Sequence, residues 1–283
     1  MPHSLRPLPL PSASKCLSKG TSRFLLYGCP AHLFRDIRWR TLRASAVSWS
    51  YRTMHWDFLL IFFVLAVIVP WRGWARLQRL LALPSTTSRE RIRLYLSSIA
   101  SQWLIAIVIA WRAFVRGLNY SDLALHFEPL AELVFFGLAG AVAMGVAHRF
   151  NLRRVGRSKN PAVERVKAIA LRIFPHSNRE LVIFCGLAVT AGICEEFIYR
   201  GFVMGALFHI SLPNWAVLII SSALFGLAHT YQGRGGVIGT LLLGTVFGLV
   251  RILYHSLLIV VFWHVTIDLV AGFAGKRYLV ENK

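Results

Sequence analysis

The stretch GICEEFIYRGF, from Gly192 to Phe202, places two adjacent carboxylates and a guanidinium inside one of the most apolar regions of the chain. The apolar region extends on both sides of the stretch, over residues 181–210. Ionisable side chains are costly in such surroundings and are retained where they are paired or functional. The sequence therefore predicts a fold that supplies a polar interior for Glu195, Glu196 and Arg200.

The composition of the whole chain indicates a membrane protein. Of its 283 residues, 56% are hydrophobic and only 16% are charged, against about 25% charged in an average soluble domain. The mean hydropathy of +0.56 agrees with this class. The chain is therefore predicted to be a polytopic integral membrane protein, placed in the cell membrane.

Apolar runs approaching ~20 residues, the length that crosses a ~30 Å hydrocarbon core, predict the membrane spans. These runs are 56–71, 94–111, 130–148, 181–194 continuing through 197–210, 215–230, 236–254 and 257–274. The predicted fold class is an all-α, polytopic membrane helix bundle of about seven or eight transmembrane helices. The region 181–210 fits either one long tilted helix or two broken segments, because about 30 helical residues extend ~45 Å.

The charge balance is strongly basic, with 32 Lys and Arg against 12 Asp and Glu. In a soluble protein this excess would suggest nucleic-acid binding, but in a membrane protein basic residues collect in short cytoplasmic loops and at anionic lipid. The expected partner is therefore the lipid bilayer, with no nucleic acid. The basic loops 72–93 and 149–180 are predicted to be cytoplasmic, and 112–129 to lie on the opposite side.

The first 53 residues differ from the rest, with nine Lys or Arg and one acidic residue, Asp36. They fit a basic arm that is disordered or lies on the membrane surface. We favour the other interpretation, in which translation begins at Met54, directly before the first apolar run. The predicted division is an arm over 1–53, transmembrane helices and basic loops over 54–180, a catalytic region over 181–275 and a C-terminal tail over 276–283.

Three apolar segments carry polar side chains at helical spacing. In the first, Glu196 and Arg200 stand at i and i+4 and can pair on one helix face, while Glu195 projects about 100° away. The pair is interpreted as structural, which leaves Glu195 free for chemistry. An inert ion-pair network of all three residues is the alternative.

The other two segments supply histidines. The stretch FGLAH, Phe225 to His229, ends one apolar span, and HVTID places His264 and Asp268 at i and i+4 within another. Each alone is explained by a buried hydrogen bond that satisfies two polar groups. Together with Glu195 they require a common polar cavity, because isolated charges in hydrocarbon are too costly.

Two carboxylates and two histidines can hydrolyse an acyl bond in two ways. Glu195 can act as general base on water, assisted by His229, with His264 and Asp268 at the developing oxyanion. Alternatively, His229, His264, Glu195 and Asp268 can hold a divalent metal such as zinc, whose bound water attacks. The chain has no HExxH motif and no GxSxG elbow near these residues, so neither a zincin nor a serine hydrolase is favoured.

These residues resemble the motifs of a known family. Glu195-Glu196-Phe-Ile-Tyr-Arg200, Phe225-Gly-Leu-Ala-His229 and His264-Val-Thr-Ile-Asp268 are similar to the EExxxR, FxxxH and Hxxx(N/D) motifs of the CAAX prenyl protease and bacteriocin-processing family, also called the ABI family. That family includes the type II CAAX prenyl endopeptidases. The resemblance covers residues 181–275, and each motif alone is weak, but the three stand in the family's order.

The resemblance implies a bundle of about eight helices and intramembrane endopeptidase activity on a protein or peptide substrate. It implies that Glu195 activates water with His229, and that His264 and Asp268 face the oxyanion. Glu196, Arg200 and Phe225 then support the site. Members have been described both as metalloproteases and as metal-independent glutamate proteases, so the resemblance leaves the metal open.

Asp268 departs from the Asn that often ends the third motif. A carboxyl group donates to an oxyanion only when it is protonated, whereas an ionised carboxylate suits a metal or orients His264. The substrate is open as well, since a prenylated CAAX protein and an unprenylated membrane peptide are equally allowed. Two other functions remain as alternatives, a non-proteolytic scaffold or immunity factor of the same family and an ion-coupled transporter.

Overall fold

The computed structural model describes residues 53–280, so the predicted arm lies outside the described residues except for Thr53. Within that range the chain forms eight helical segments and no strand. They are α1 Trp56–Ala82, α2 Ser88–Val115, α3 Leu130–Arg157, α4 Pro161–Ile173, α5 Asn178–His209, α6 Asn214–Ala228, α7 Gly233–Tyr254 and α8 Leu258–Val280. The predicted all-α helix bundle is confirmed.

Six of these helices are long and apolar enough to cross a membrane: α1, α2, α3, α5, α8, and α7 together with the short turn Thr230–Gln232 before it. Their outward faces expose large apolar side chains, including Leu104 at 65%, Val142 at 67% and Leu253 at 71%. A soluble protein rarely exposes such a continuous apolar surface, whereas lipid accommodates it. The chain is a multi-pass integral membrane protein.

The region 181–210, for which the sequence left two forms open, is a single continuous helix. α5 runs from Asn178 to His209 over 32 residues, and its rise of about 1.5 Å per residue gives a length of about 48 Å. It contains a π-helical segment, Phe197–Val203, which begins directly after Glu196. Such wide turns inside α-helices are frequent at functional sites.

α6 is too short to cross the bilayer. Its 15 residues, Asn214–Ala228, extend only about 22 Å, against a hydrocarbon core of about 30 Å. The predicted span 215–230 therefore ends within the bundle, and His229 forms its C-terminal cap. This ending places the side chain of His229 among packed helices, where it is 13% exposed.

Glycines let the helices that carry the site approach closely. A Cβ atom on Gly192 of α5 would lie 2.4 Å from Cγ2 and 3.0 Å from the backbone nitrogen of Val265 on α8. On α3, Gly137 and Gly140 face the rings of Phe262 and Trp263 in the same way. Because small residues allow backbones in a membrane to pack tightly, α8 is held between α3 and α5.

The loops group at two ends of the bundle in the alternation that the sequence predicts. At the basic end, Nη1 of Arg172 donates to the carbonyl oxygen of Leu83 at 2.6 Å, so α4 is joined to the α1–α2 loop. At the other end, the backbone nitrogen of Leu257 donates to Ala124 at 3.0 Å. α8 continues helically through Lys276–Val280, the start of the segment predicted as a tail.

Candidate active site

Glu195 on α5 lies between α2 and the end of α6. Its Oε1 accepts a hydrogen bond from Nε2 of Gln102 at 2.8 Å. Its Oε2 lies 3.9 Å from Nε2 of His229, too far for a direct hydrogen bond. The side chains of Glu195 and His229 are 18% and 13% exposed, so both can be reached from outside the packed core.

The other nitrogen of His229 is committed to the backbone. Nδ1 of His229 lies 2.8 Å from the carbonyl oxygen of Phe225. A carbonyl oxygen can only accept, so Nδ1 carries the hydrogen, and in the neutral ring Nε2 presents a lone pair. The ring is held by Phe225 at 4.7 Å and Tyr231 at 5.8 Å between centroids. His229 therefore points an acceptor toward Glu195.

Glu196 turns away from Glu195 and joins two helices. Its Oε1 accepts from Nη1 of Arg200 at 3.0 Å and from Nδ1 of His264 at 2.7 Å. Glu196 and Arg200 are completely buried. The pairing of Glu196 with Arg200 on one helix face is the arrangement that their spacing predicts, and it leaves the neighbouring Glu195 outside the ion pair.

The guanidinium of Arg200 is enclosed by aromatic rings. Its central carbon lies 4.2 Å from the ring centroid of Phe225 and 5.4 Å from that of Phe247. Cations stack favourably on aromatic faces when water is excluded. Gly244 on α7 makes room for the group, since a Cβ atom there would lie 3.1 Å from Nη2 of Arg200.

His264 on α8 lies between two carboxylates. Nδ1 of His264 contacts Glu196. On the other side of the ring, Nε2 lies 3.7 Å from Oδ2 of Asp268. An imidazole presents N–H groups on both nitrogens only as the imidazolium. His264 is buried, whereas the side chain of Asp268 is 32% exposed, so Asp268 lies at the accessible side of the site.

Phe225 connects the two histidines. Its ring centroid lies 4.7 Å from that of His229 and 6.0 Å from that of His264. The structure thus brings together all seven residues that the sequence singled out: Glu195, Glu196, Arg200, Phe225, His229, His264 and Asp268. They come from α5, the end of α6 and α8.

Sequence reasoning missed several residues of the site. Gln102 contacts Glu195 from α2, Phe247 of α7 flanks both Arg200 and His264, and Tyr231 lies against His229. An amide within an apolar helix was the available signal for Gln102. Nothing in the local pattern distinguishes Phe247 or Tyr231 from packing residues.

The metal interpretation requires donor atoms from Glu195, His229, His264 and Asp268. Within residues 53–280, no group of three or more His, Cys, Asp or Glu side chains is placed to hold a metal ion together. Because Nδ1 of His229 contacts Phe225 and Nδ1 of His264 contacts Glu196, only Nε2 of each ring would remain to bind a metal. The four residues proposed as metal ligands from sequence do not fit that role in this arrangement, and the metalloprotease interpretation gains no support.

Comparison with known proteins identifies the region that carries the site. Residues 177–270 match the family model described as type II CAAX prenyl endopeptidase Rce1-like. Searches among curated proteins and among solved structures gave no significant match. The matched region begins at the start of α5 and includes Glu195, His229, His264 and Asp268.

The class is thus a multi-pass membrane protein whose residues 177–270 are similar to CAAX-type intramembrane proteases. For residues 177–270 this match supports the CAAX prenyl protease and bacteriocin-processing family predicted from the three motifs, since the matching model is that of its type II CAAX prenyl endopeptidase Rce1-like members. α1 to α4 precede the matched region.

Proposed function

We propose that this protein is an intramembrane endopeptidase of the cell membrane, which hydrolyses a peptide bond of a membrane-associated or CAAX-type protein. Glu195 and His229 activate the water molecule, and His264 with Asp268 stabilises the oxyanion. Glu196, Arg200 and Phe225 hold these groups in place. No step of this mechanism requires a metal.

One observation carries the proposal: Oε2 of Glu195 and Nε2 of His229 are two acceptors 3.9 Å apart. A single water molecule can donate one hydrogen to each, at ordinary hydrogen-bond lengths of about 2.8 Å. Its lone pairs then point away from both residues, toward a substrate carbonyl carbon. This arrangement orients water as a nucleophile before any bond forms.

The chemical steps follow from the groups present. The water oxygen attacks the carbonyl carbon while Glu195 takes one of its protons, and the carbonyl oxygen becomes an oxyanion. The protonated Glu195 then gives that proton to the departing nitrogen as the C–N bond breaks. The products are a carboxylic acid and an amine, and the site returns to its starting state.

The oxyanion requires donors on the other side of the carbonyl. The imidazolium form of His264 presents Nε2–H beside Asp268, and its Nδ1–H remains bonded to Glu196. A preorganised donor in a water-poor site stabilises developing charge far better than in bulk water. Asp268 assists as a donor in its protonated form and orients His264 in its ionised form.

Replacement of Glu195 by Gln tests the proposal, because the amide keeps the shape but cannot accept a proton. Membranes containing the wild type or the Glu195→Gln variant are compared by proteomics for proteins that stay uncut in the variant. Glu132→Gln on α3, an exposed carboxylate, is the matched control and should behave as the wild type. Candidate peptides are then assayed with and without a prenyl group.

Other outcomes point to other functions. Equal processing in wild-type and Glu195→Gln membranes overturns the protease assignment and favours a scaffold of the same family. Proton or ion flux through the purified protein in liposomes, abolished by the same substitution, would instead favour the transporter. Cleavage that depends on a prenyl group identifies a CAAX-type substrate.

A further inference from the structure

Gln102 lies on α2, outside the matched region, yet its side chain reaches the carboxylate proposed to activate water. Nε2 of Gln102 lies 2.8 Å from Oε1 of Glu195, while Oε2 of the same carboxylate faces His229. We infer that Gln102 is a positioning residue that fixes the rotation of the Glu195 carboxylate so that Oε2 points at His229. The inference rests on the hydrolytic function proposed above.

A glutamate needs such a partner because its terminal torsion is broad and its two oxygens are equivalent. Without a fixed contact, either oxygen can face His229, and the carboxylate plane can tilt away from the water position. A hydrogen bond from an amide to a carboxylate is charge-assisted and roughly twice as strong as a neutral one. The contact of Gln102 with Oε1 makes the two oxygens of Glu195 different.

The surroundings of Gln102 favour a directed role. It lies in an apolar part of α2, and the neighbouring Leu104 is 65% exposed on the outward face. Oε1 of Gln102 is buried without a hydrogen-bond partner among the described residues. The NH₂ group of the Gln102 amide is therefore hydrogen-bonded, whereas its oxygen is not. If Gln102 served stability alone, both groups would be expected to have hydrogen-bond partners.

A purely structural role, holding α2 against α5, is the competing explanation. The chain offers a matched control for it one position along. Nε1 of Trp103 donates to Oγ1 of Thr190 at 3.3 Å, so this bond joins the same two helices without touching Glu195. Trp103→Phe removes a helix-joining hydrogen bond and leaves the carboxylate contact in place.

The kinetic experiment compares Gln102→Leu and Gln102→Met with Trp103→Phe in the full-length protein. Both Gln102 variants lack the amide donor, and Met also keeps the length of the side chain, so one serves if the other fails to fold. Their kcat is expected to fall roughly 10- to 100-fold with little change in KM, since misplacing a reacting group acts on the chemical step. Trp103→Phe should keep the wild-type kcat.

Infrared spectroscopy gives a reading that does not depend on activity. The carboxylate stretch of Glu195 is assigned by its loss in Glu195→Gln, and it should shift in Gln102→Leu but not in Trp103→Phe. Glu195-dependent cleavage with an unchanged kcat and an unshifted band in the Gln102 variants overturns the positioning role alone. Absence of any Glu195-dependent cleavage by the wild type overturns the proposed function and this role together.

Discussion

Nδ1 of His264 lies 2.7 Å from Oε1 of Glu196, a contact that joins α8 to α5 across 68 positions of sequence. The same oxygen accepts from Arg200 at 3.0 Å. Of the two adjacent carboxylates, Glu196 is therefore the one that holds the helices together. Glu195 is the one whose side chain is partly exposed. This division of roles leads to the first prediction.

Glu196→Gln should destabilise the protein, whereas Glu195→Gln should not. Removing the charge of Glu196 leaves the guanidinium of Arg200 buried without its counter-ion, a change that costs about 3 kcal/mol or more. Thermal and denaturant unfolding in detergent measure the difference, and Glu195→Gln should unfold near the wild type. Equal stability of the two variants would contradict the assignment of roles.

Asp268→Asn should keep most of the activity, while Asp268→Leu should lose it. An amide always has hydrogens to donate to the oxyanion, and losing such a donor costs about 100- to 1,000-fold in kcat. The carboxyl of Asp268 donates only when it holds a proton, so the rate of the Asn variant should fall less toward alkaline pH. If Asn and Leu are equally inactive, the negative charge of Asp268 itself is required.

Gly192→Ala should lower both stability and activity, because the added methyl group would lie 2.4 Å from Cγ2 of Val265. Overpacking of this kind costs about 1–3 kcal/mol and moves α8, with His264, away from α5. Gly186→Ala on the same helix is the control, since its nearest contact is 3.9 Å away at Ile99. Melting temperature and cleavage rate are measured for both, and equal effects would refute the close-packing argument.

Glu180→Gln should reduce stability but leave the chemistry unchanged. Glu180 forms a buried, bidentate pair with Arg91, at 2.7 Å and 3.1 Å, and losing one partner costs about 3–5 kcal/mol. It precedes Glu195 by roughly 22 Å along α5. Below the lowered melting temperature kcat should match the wild type. The exposed Glu164, which pairs with Lys167 on α4, provides a control that should have little effect when changed to Gln.

Metal removal should not affect cleavage. The described residues include no three His, Cys, Asp or Glu side chains placed to hold a metal ion together. The purified protein is stripped with a strong chelator and assayed before and after, in parallel with elemental analysis. Loss of activity that zinc restores would contradict the mechanism and favour the metal alternative.

The sequence was sufficient for the class of the fold, because the length and polarity of a membrane helix are local properties. Apolar runs alone located every helix except α4, which lies within the basic loop 149–180, and the spacing of Glu196 and Arg200 predicted their pairing. The sequence left the form of 181–210 open, since both one helix and two broken segments satisfy the same hydropathy. The continuous α5 depends on packing against α2 and α8, which no local pattern encodes.

The candidate site shows the same division. Glu195, His229 and His264 stand out because ionisable groups in apolar segments are costly, and that cost can be read from the chain. The partners of these groups cannot be read in this way. An amide such as Gln102 or a ring such as Phe247 belongs to the site only because the folded helices place it against a site residue. The contact of Nδ1 of His264 with Glu196 also joins residues that are far apart in the sequence.

The sequence by itself determined that this chain crosses a membrane as helices and that a few costly polar groups must meet inside it. Only the tertiary structure decided that Glu196 is tied to Arg200 and His264 while Glu195 faces His229. The physical reason is that burial cost depends on residue type and hydropathy, whereas hydrogen-bond partners depend on the relative placement of helices. That placement is set by glycine contacts such as Gly192 against Val265.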